Sequence, residues 1–145
     1  MEAVVLCGVQ GSGKTTLYRH RFLDTHVHLS LDVVRTRGRE AELLRTCVQD
    51  RRPFVVDNTN PTPADRRRYI EPAREAGFRV IGYLVEANAG EALARAEIPP
   101  ARAAATARSL QRPTLEEGFD ELWHATAAPD GGWRIEPLLT TPPLF

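Results

Sequence analysis

The chain has 145 residues, enough for one compact domain, and its charge is balanced, with 19 basic and 19 acidic side chains. Zero formal charge removes the simplest argument for a general nucleic-acid binder but leaves room for a local basic groove. No run approaches the roughly 20 apolar residues of a membrane span, and neither Cys7 nor Cys47 lies in a CxxC or Cys/His cluster. We expect one soluble, cytoplasmic domain over residues 1–145, without membrane contact.

Short apolar runs alternate with longer segments of helical period, which is typical of an α/β domain with a mainly parallel sheet. The predicted strands cover residues 4–7, 27–30, 54–56, 78–85 and 133–136. The predicted helices cover residues 14–23, 40–52, 62–76, 91–97, 101–111 and 114–123. Local signals bound the third helix, because Thr62 suits an N-cap, Pro63 suits the first turn and Gly77 ends it. A proline-rich tail begins at about residue 138.

A glycine-rich loop follows the first predicted strand. Its sequence, Gly8-Val9-Gln10-Gly11-Ser12-Gly13-Lys14-Thr15, fits the pattern G-x-x-x-x-G-K-[ST]. The glycines let successive backbone N–H groups surround phosphate oxygens, and the next helix adds positive potential at its N-terminus. The motif predicts ATP binding in a P-loop NTPase-type three-layer sandwich, with a mainly parallel sheet of four to five strands and a short helical lid. The predicted nucleotide-binding residues are Gly8, Gln10, Gly11, Ser12, Gly13, Lys14, Thr15 and Thr16.

Three side chains are predicted to act on the phosphates or on a metal beside them. We expect Lys14 to reach the β- and γ-phosphates and the Thr15 hydroxyl to coordinate Mg²⁺. Asp57 ends the third predicted strand, where a carboxylate helps to hold Mg²⁺ in folds of this class. The alternative for Asp57 is a turn or helix-capping role.

A second carboxylate, Asp32, follows the short second strand, and Arg35 comes three residues later. If a helix begins there, both side chains share one face. Such a carboxylate can accept the proton of an attacking hydroxyl, and the guanidinium can hold a phosphate of the acceptor. Alternatively, Asp32 is an N-cap and Arg35 is its ion-pair partner. The spacing alone does not separate these interpretations.

Four further motifs carry a resemblance to a known family. They are VVDNTNP at 55–61, ADRRRY at 64–69, AREAG at 73–77 and RPTLEEGF at 112–119. Together with the phosphate loop and Asp32, they make the chain resemble the polynucleotide 5′-hydroxyl kinase family from residue 4 to about residue 122. That family includes the kinase domains of nucleic-acid end-healing enzymes.

The resemblance implies an activity and a set of roles. It implies an ATP-dependent kinase, with ATP and Mg²⁺, that phosphorylates a 5′-hydroxyl end of DNA or RNA. Asp32 would be the general base and Arg35 would contact a phosphate of the acceptor. Asp57 and the 58–60 loop would lie close to the metal and phosphates, whereas without the resemblance Asn58 and Asn60 read as turn residues.

The predicted lid, at about residues 91–112, departs from the family pattern. Family lids usually carry two arginines that close over the ATP phosphates. Here Ile98-Pro99-Pro100 begins three residues after Arg95, and the second arginine is missing from its expected place. Arg102 and Arg108 are substitutes to consider. A lost arginine of this kind can lower the transfer rate by a factor of about 10³ or more.

Other basic and aromatic residues give weaker signals. The arginines at 35, 37 and 39 and those at 66–68 are candidates for a nucleic-acid groove, but for 66–68 we favour solvated surface, because their side chains point in different directions from a helix. We interpret Tyr18 and Tyr69 as packing residues.

Three functions remain in competition at this stage. The first is a kinase of 5′-hydroxyl nucleic-acid ends, for which any phosphatase or ligase step requires a partner enzyme. The second is a P-loop kinase of a small hydroxyl acceptor such as a nucleoside, a sugar or an antibiotic, since the fold does not settle the acceptor. The third is an ATP-binding module with little turnover.

Overall fold

The computed structural model describes residues 1–86, 110–128 and 130–138. The strands are β1 (Glu2–Cys7), β2 (Val27–Leu29), β3 (Phe54–Asp57), β4 (Arg79–Glu86), β5 (Glu121–Ala127) and β6 (Trp133–Pro137). The helices are α1 (Lys14–Arg21), α2 (Leu31–Val34), α3 (Arg37–Gln49) and α4 (Pro63–Glu75), and a 3₁₀ turn covers Leu115–Glu117. The predicted helix over 91–97, most of the one over 101–111 and the tail beyond residue 138 lie outside the described residues.

The sheet has six strands in the order β2-β3-β1-β4-β5-β6, so the prediction of four to five strands was slightly low. Every neighbouring pair is parallel except β5 and β6, which are antiparallel. In the register of β1 and β3, Leu6 lies opposite Asp57. The loop after β1 and the carboxylate that ends β3 therefore meet at the same edge of the sheet.

Two apolar layers cover the sheet, one on each face, because strand residues alternate between the two sides. Val5 and Val56 face the layer that contains α3 and α4. Val4 and Leu6 face the layer that contains α1 and part of β6. This is the predicted three-layer sandwich. None of the helices in the described ranges is long and apolar enough to cross a membrane.

Helix α4 begins and ends as its local signals predict. The Thr62 side chain accepts a hydrogen bond from the backbone N–H of Asp65, the Asp65 carboxylate accepts one from the N–H of Thr62, and Pro63 occupies the first turn. Gly77, with φ of 83°, follows the last turn.

The prediction of a helix over residues 114–123 was wrong. Thr114 and Glu117 do form a capping box, but only a 3₁₀ turn follows, and Gly118 ends it with φ of 115°. The chain then continues into β5, which pairs in parallel with β4 and buries Leu122 and Ala125. Thr114 therefore caps the first turn of the predicted segment, but pairing with β4 sets the conformation of the residues after that turn.

Candidate active site

An open cavity of about 760 Å³ lies at the carboxyl ends of β1 and β3, within the range of roughly 300–1,000 Å³ typical of ligand sites. The glycine-rich loop, the start of α2 and the segment after β3 form its walls. Its lining residues are Gln10, Gly11, Gly13, Lys14, Thr15, Thr16, Leu31, Asp32, Arg37, Asp57, Asn58, Thr59, Asn60, Pro61 and Asp65. The structure thus brings the two halves of the predicted site, nucleotide and acceptor, to one cavity.

The loop from Gly8 to Gly13 needs glycine at several positions. A Cβ at Gly8 would lie 2.6 Å from the carbonyl oxygen of Val85, and Gly11 and Gly13 have φ of 80° and 103°. Helix α1 starts at Lys14, and no side chain caps its N-terminus. Its first N–H groups are thus available to an anion, as phosphate binding requires. Gly8 and Ser12 are buried and do not line the cavity.

The ammonium group of Lys14 lies inside this loop. Its Nζ donates to the carbonyl oxygens of Gly8 at 2.8 Å and Val9 at 3.0 Å. Burial lowers the pKa of Lys14, and nearby acidic groups, including Asp57 and Asp32, oppose that shift. The ammonium group is therefore held by backbone oxygens of the loop itself.

Asp57 receives two hydrogen bonds on one oxygen. Thr15 Oγ1 and His28 Nε2 both donate to Asp57 Oδ2 at 2.8 Å, and the His28 ring stacks on Tyr18 at 3.9 Å between centroids. Burial raises the pKa of Asp57, but the hydrogen bonds from His28 and Thr15 and the charge of Lys14 outweigh it, so the net shift is downward. Asp57 is therefore ionised at neutral pH.

The pair of Thr15 and Asp57 fits a magnesium site. A hydroxyl and a carboxylate oxygen are hard donors, and Mg²⁺ usually takes one or two carboxylates, several waters and substrate phosphates. Across residues 1–86, 110–128 and 130–138, no cluster of three or more His, Cys, Asp or Glu side chains could form an all-protein cage. Thr15 and Asp57 adjoin the loop that would hold those phosphates.

Asp32 lines the cavity from the single turn of α2. Ser30, not Asp32, is the N-cap of that turn, and Asp32 and Arg35 form no ion pair. The alternative of an N-cap with its ion-pair partner was therefore wrong. The turn ends at Val34, and Arg35, with φ of 75°, is exposed and does not line the cavity.

A buried carboxylate that the sequence did not single out lies behind this turn. Glu40 accepts hydrogen bonds from the Tyr69 hydroxyl at 2.7 Å, Arg37 Nη1 at 2.9 Å and Asn58 Nδ2 at 2.8 Å. Asn58 Oδ1 in turn accepts the backbone N–H of Leu31 at 2.9 Å. The network joins α3, α4 and the segment after β3 to the turn that carries Asp32.

The two asparagines after β3 form hydrogen bonds to backbone atoms of neighbouring segments. Asn58 belongs to the network around Glu40, so it does more than turn the chain. Asn60, with φ of 47°, is buried and donates from Nδ2 to the carbonyl oxygen of Leu6 at 2.8 Å. Tyr18 and Tyr69 are buried as predicted for packing residues, although Tyr69 also uses its hydroxyl.

Arg66 corrects the interpretation of the basic run in α4. Its side chain is fully buried, with Nε and Nη2 donating to the two carboxylate oxygens of Glu117 at 2.7 and 3.0 Å. Nη1 donates to the carbonyl oxygen of Asn60 at 2.8 Å. Arg67 and Arg68 are exposed, as predicted. Arg95, Arg102 and Arg108, the arginines considered for the lid, lie outside the described residues.

Comparisons with known proteins agree with this architecture. A family described as "AAA domain" matches residues 4–122. The chain is 28% identical over 131 residues to the bifunctional polynucleotide phosphatase/kinase of Schizosaccharomyces pombe, covering 81% of this chain and 32% of that protein. It thus spans about a third of the length of that relative. The match confirms the resemblance to polynucleotide kinases that the motifs around Asp57 indicated.

Two solved structures show the same fold. One is a gluconokinase from Sinorhizobium meliloti, with a TM-score of 0.61 at 16% identity, covering 88% of this chain and 83% of that one. The other is the APS kinase CysC of Mycobacterium tuberculosis in complex with AMPPNP and APS, with a TM-score of 0.56 at 20% identity, covering 89% and 88%. At these identities the likeness concerns the fold alone.

Proposed function

We propose, for a chain that belongs to the AAA domain family and has the P-loop kinase fold, that it transfers the γ-phosphate of ATP to a 5′-hydroxyl end of DNA or RNA. One observation supports this most directly: the carboxylate of Asp32 lines the same cavity as Lys14, Thr15 and Asp57. A group able to take a proton from an alcohol thus faces the groups that would hold the phosphates. The relative in S. pombe, which is named a polynucleotide phosphatase/kinase, supports a nucleic-acid end as the acceptor.

The proposed reaction is an in-line displacement at the γ-phosphorus. The acceptor hydroxyl oxygen forms a bond to phosphorus as the bond to the β–γ bridging oxygen breaks, and ADP leaves. Asp32 accepts the hydroxyl proton, and Lys14 balances the charge on the β- and γ-phosphate oxygens. Thr15 and Asp57 would hold Mg²⁺, which supplies further positive charge to the same oxygens.

Two arginines enter the proposal from the resemblance. Arg35 would contact a phosphate of the acceptor, and Arg95 would close over ATP from the lid. The family relation also suggests a phosphatase or ligase as a functional partner of this kinase domain, because the S. pombe relative combines phosphatase and kinase in one protein.

The test is transfer of radiolabelled γ-phosphate from ATP and Mg²⁺ to a short oligonucleotide with a 5′-hydroxyl end. Asp32→Asn should lower the turnover by at least about 10²-fold with little change in ATP affinity, because only the proton acceptor is lost. Asp24→Asn is the matched control, since Asp24 is an exposed aspartate outside the cavity.

Three outcomes would contradict parts of the proposal. Transfer to a nucleoside or sugar but not to the oligonucleotide would make the chain a small-molecule kinase. ATP binding without transfer to any acceptor would make it a binding module. A parallel loss of ATP affinity in Asp32→Asn would remove Asp32 as the base and make it a metal or folding residue.

A further inference from the structure

His28 lies in the middle of β2, the edge strand that pairs in parallel with β3. The reaction proposed above gives this histidine no role. Its register partner is Val55, two residues before Asp57. Because alternate residues of a strand point to the same face of the sheet, the side chains of His28, Val55 and Asp57 share one face. The imidazole therefore reaches diagonally to the end of β3, where Nε2 donates to Asp57 Oδ2 at 2.8 Å.

The His28 ring is held on its face as well as through its backbone. It stacks on the ring of Tyr18, with centroids 3.9 Å apart and planes inclined by only 12°. Tyr18 is buried in α1 and follows Thr15 by three residues, which is about one helical turn. Helix α1 thus carries both the hydroxyl that bonds Asp57 and the aromatic ring that fixes the imidazole.

The two donors to Asp57 have a consequence for Thr15. Both bonds go to Oδ2, and no residue in the described part of the chain donates to Oδ1. Donors from two different elements, α1 and β2, fix the rotation of the carboxylate, which one donor would leave free. A hydroxyl has a single proton and two lone pairs. Because the Thr15 proton is directed to Asp57, the lone pairs of Oγ1 stay available to a cation in the cavity that both residues line.

We propose that His28 is a positioning residue for the magnesium site: it holds the Asp57 carboxylate in the orientation that keeps the Thr15 oxygen free for Mg²⁺. Carboxylates that serve a metal are themselves hydrogen-bonded, and loss of such an outer partner typically lowers metal affinity or activity by about 10- to 100-fold. The presence of Mg²⁺ with a nucleotide rests on the proposed function. The nature of the phosphate acceptor does not enter the argument.

The experiment measures equilibrium binding of ADP by calorimetry over a series of Mg²⁺ concentrations and in EDTA. His28→Phe keeps an aromatic ring on Tyr18 but removes the donor, so the Mg²⁺ concentration for half-maximal effect should rise by about 10- to 100-fold. ADP affinity in EDTA should stay the same, because the phosphate loop and Lys14 are untouched. His28→Gln keeps an N–H donor and should be intermediate. His20→Phe changes an exposed histidine outside the cavity and is the matched control.

A double-mutant cycle tests whether His28 acts through Asp57. Asp57→Asn should itself raise the Mg²⁺ requirement, because it removes a negative charge from the site. If His28 only orients that carboxylate, His28→Phe should have little further effect in the Asp57→Asn background, since residues that act as a unit are not additive. Full additivity of the two substitutions would overturn the positioning role.

Two other results would overturn the assignment. One is an unchanged Mg²⁺ requirement in His28→Phe. The other is an equal loss of ADP affinity with Mg²⁺ and in EDTA, accompanied by a lower thermal midpoint, because that pattern indicates a purely structural histidine. The binding assay needs no phosphoryl transfer. If no acceptor is phosphorylated but His28→Phe still raises the Mg²⁺ requirement, the proposed function fails while the role of His28 stands.

Discussion

Two adjacent arginines of α4 differ completely in their surroundings. Arg66 is buried in a bidentate pair with Glu117, whereas Arg67 lies 3.8 Å from Glu71 with both side chains about two-thirds exposed. Removing one partner of a buried ion pair leaves an uncompensated charge, which costs far more than the loss of an exposed pair. Neighbouring residues of one amino-acid type thus have very different effects on stability.

We predict that Arg66→Ala lowers the free energy of unfolding by about 3–5 kcal/mol. Arg67→Ala should change it by less than about 1 kcal/mol, because exposed pairs contribute little. Urea denaturation followed by circular dichroism would measure both. Equal effects of the two substitutions would mean that the pair with Glu117 does not stabilise the fold.

The sequence predicts some of these residues and not others for a physical reason. The phosphate loop is a local motif, in which a few neighbouring residues determine the backbone, so its position follows from the pattern. Arg66 and Glu117 are 51 residues apart, and two of the donors to Glu40, Asn58 and Tyr69, lie 18 and 29 residues away from it in sequence. No local pattern contains such partners, which is why Arg66 was expected at the surface and Glu40 was not singled out.

At the scale of elements, the close contact between β4 and the chain around β5 depends on a glycine. A Cβ at Gly82 would lie 2.6 Å from Leu122 Cδ2 and 2.7 Å from Phe119 Cε1. Both neighbours are themselves buried in the core. The side chains after the Thr114 turn can therefore pack over β4 only because residue 82 has no side chain.

We predict opposite effects for two glycine-to-alanine substitutions. Gly82→Ala should destabilise the protein by about 1–3 kcal/mol, the usual cost of overpacking a core. Gly38→Ala should stabilise it by about 0.5–1 kcal/mol, because Gly38 lies in α3 with open space around it and alanine favours the helix. Thermal unfolding of the two variants and of the wild type would measure both changes in stability. A neutral Gly82→Ala would show that β5 can move away from β4 without cost.

The boundaries of the helices and strands also depend partly on neighbouring residues and partly on residues that are distant in sequence. Thr62, Pro63 and Gly77 predicted the bounds of α4, because caps act within one turn. Thr114 marked the start of the predicted helix over 114–123 in the same way, but a cap determines only the first turn of a helix. The chain beyond Gly118 became a strand because β4 offered an open edge, and that edge is not visible in the local sequence.

At the scale of the whole molecule, strand order assembles the site. The chain runs from β1 to the edge strand β2 and back to β3, and later continues on the other side of β1 with β4. Ligands of open parallel sheets bind outside the carboxyl ends of the strands, where the order reverses. The cavity lies at that place, so residues as distant in sequence as Lys14, Asp32 and Asp57 meet there.

A ligand that binds this cavity only in the folded state must stabilise the entire fold. At about 100 times its Kd, ADP with Mg²⁺ should add about 2.7 kcal/mol to the free energy of unfolding, and the thermal midpoint should rise accordingly. Lys14→Ala should abolish most of this rise, because the ammonium group of Lys14 is the side-chain cation at the phosphate loop. Differential scanning fluorimetry with and without nucleotide measures the effect.

The comparison must use the shift that nucleotide causes within each variant, not the midpoint of the variant alone. Lys14 Nζ also bonds the carbonyl oxygens of Gly8 and Val9, so Lys14→Ala changes the stability of the free protein too. Arg19→Ala, an exposed cation later in α1, should keep the full nucleotide-induced shift. If Lys14→Ala kept it as well, nucleotide would not be bound through this loop, and the proposed kinase mechanism would lose its phosphate donor site.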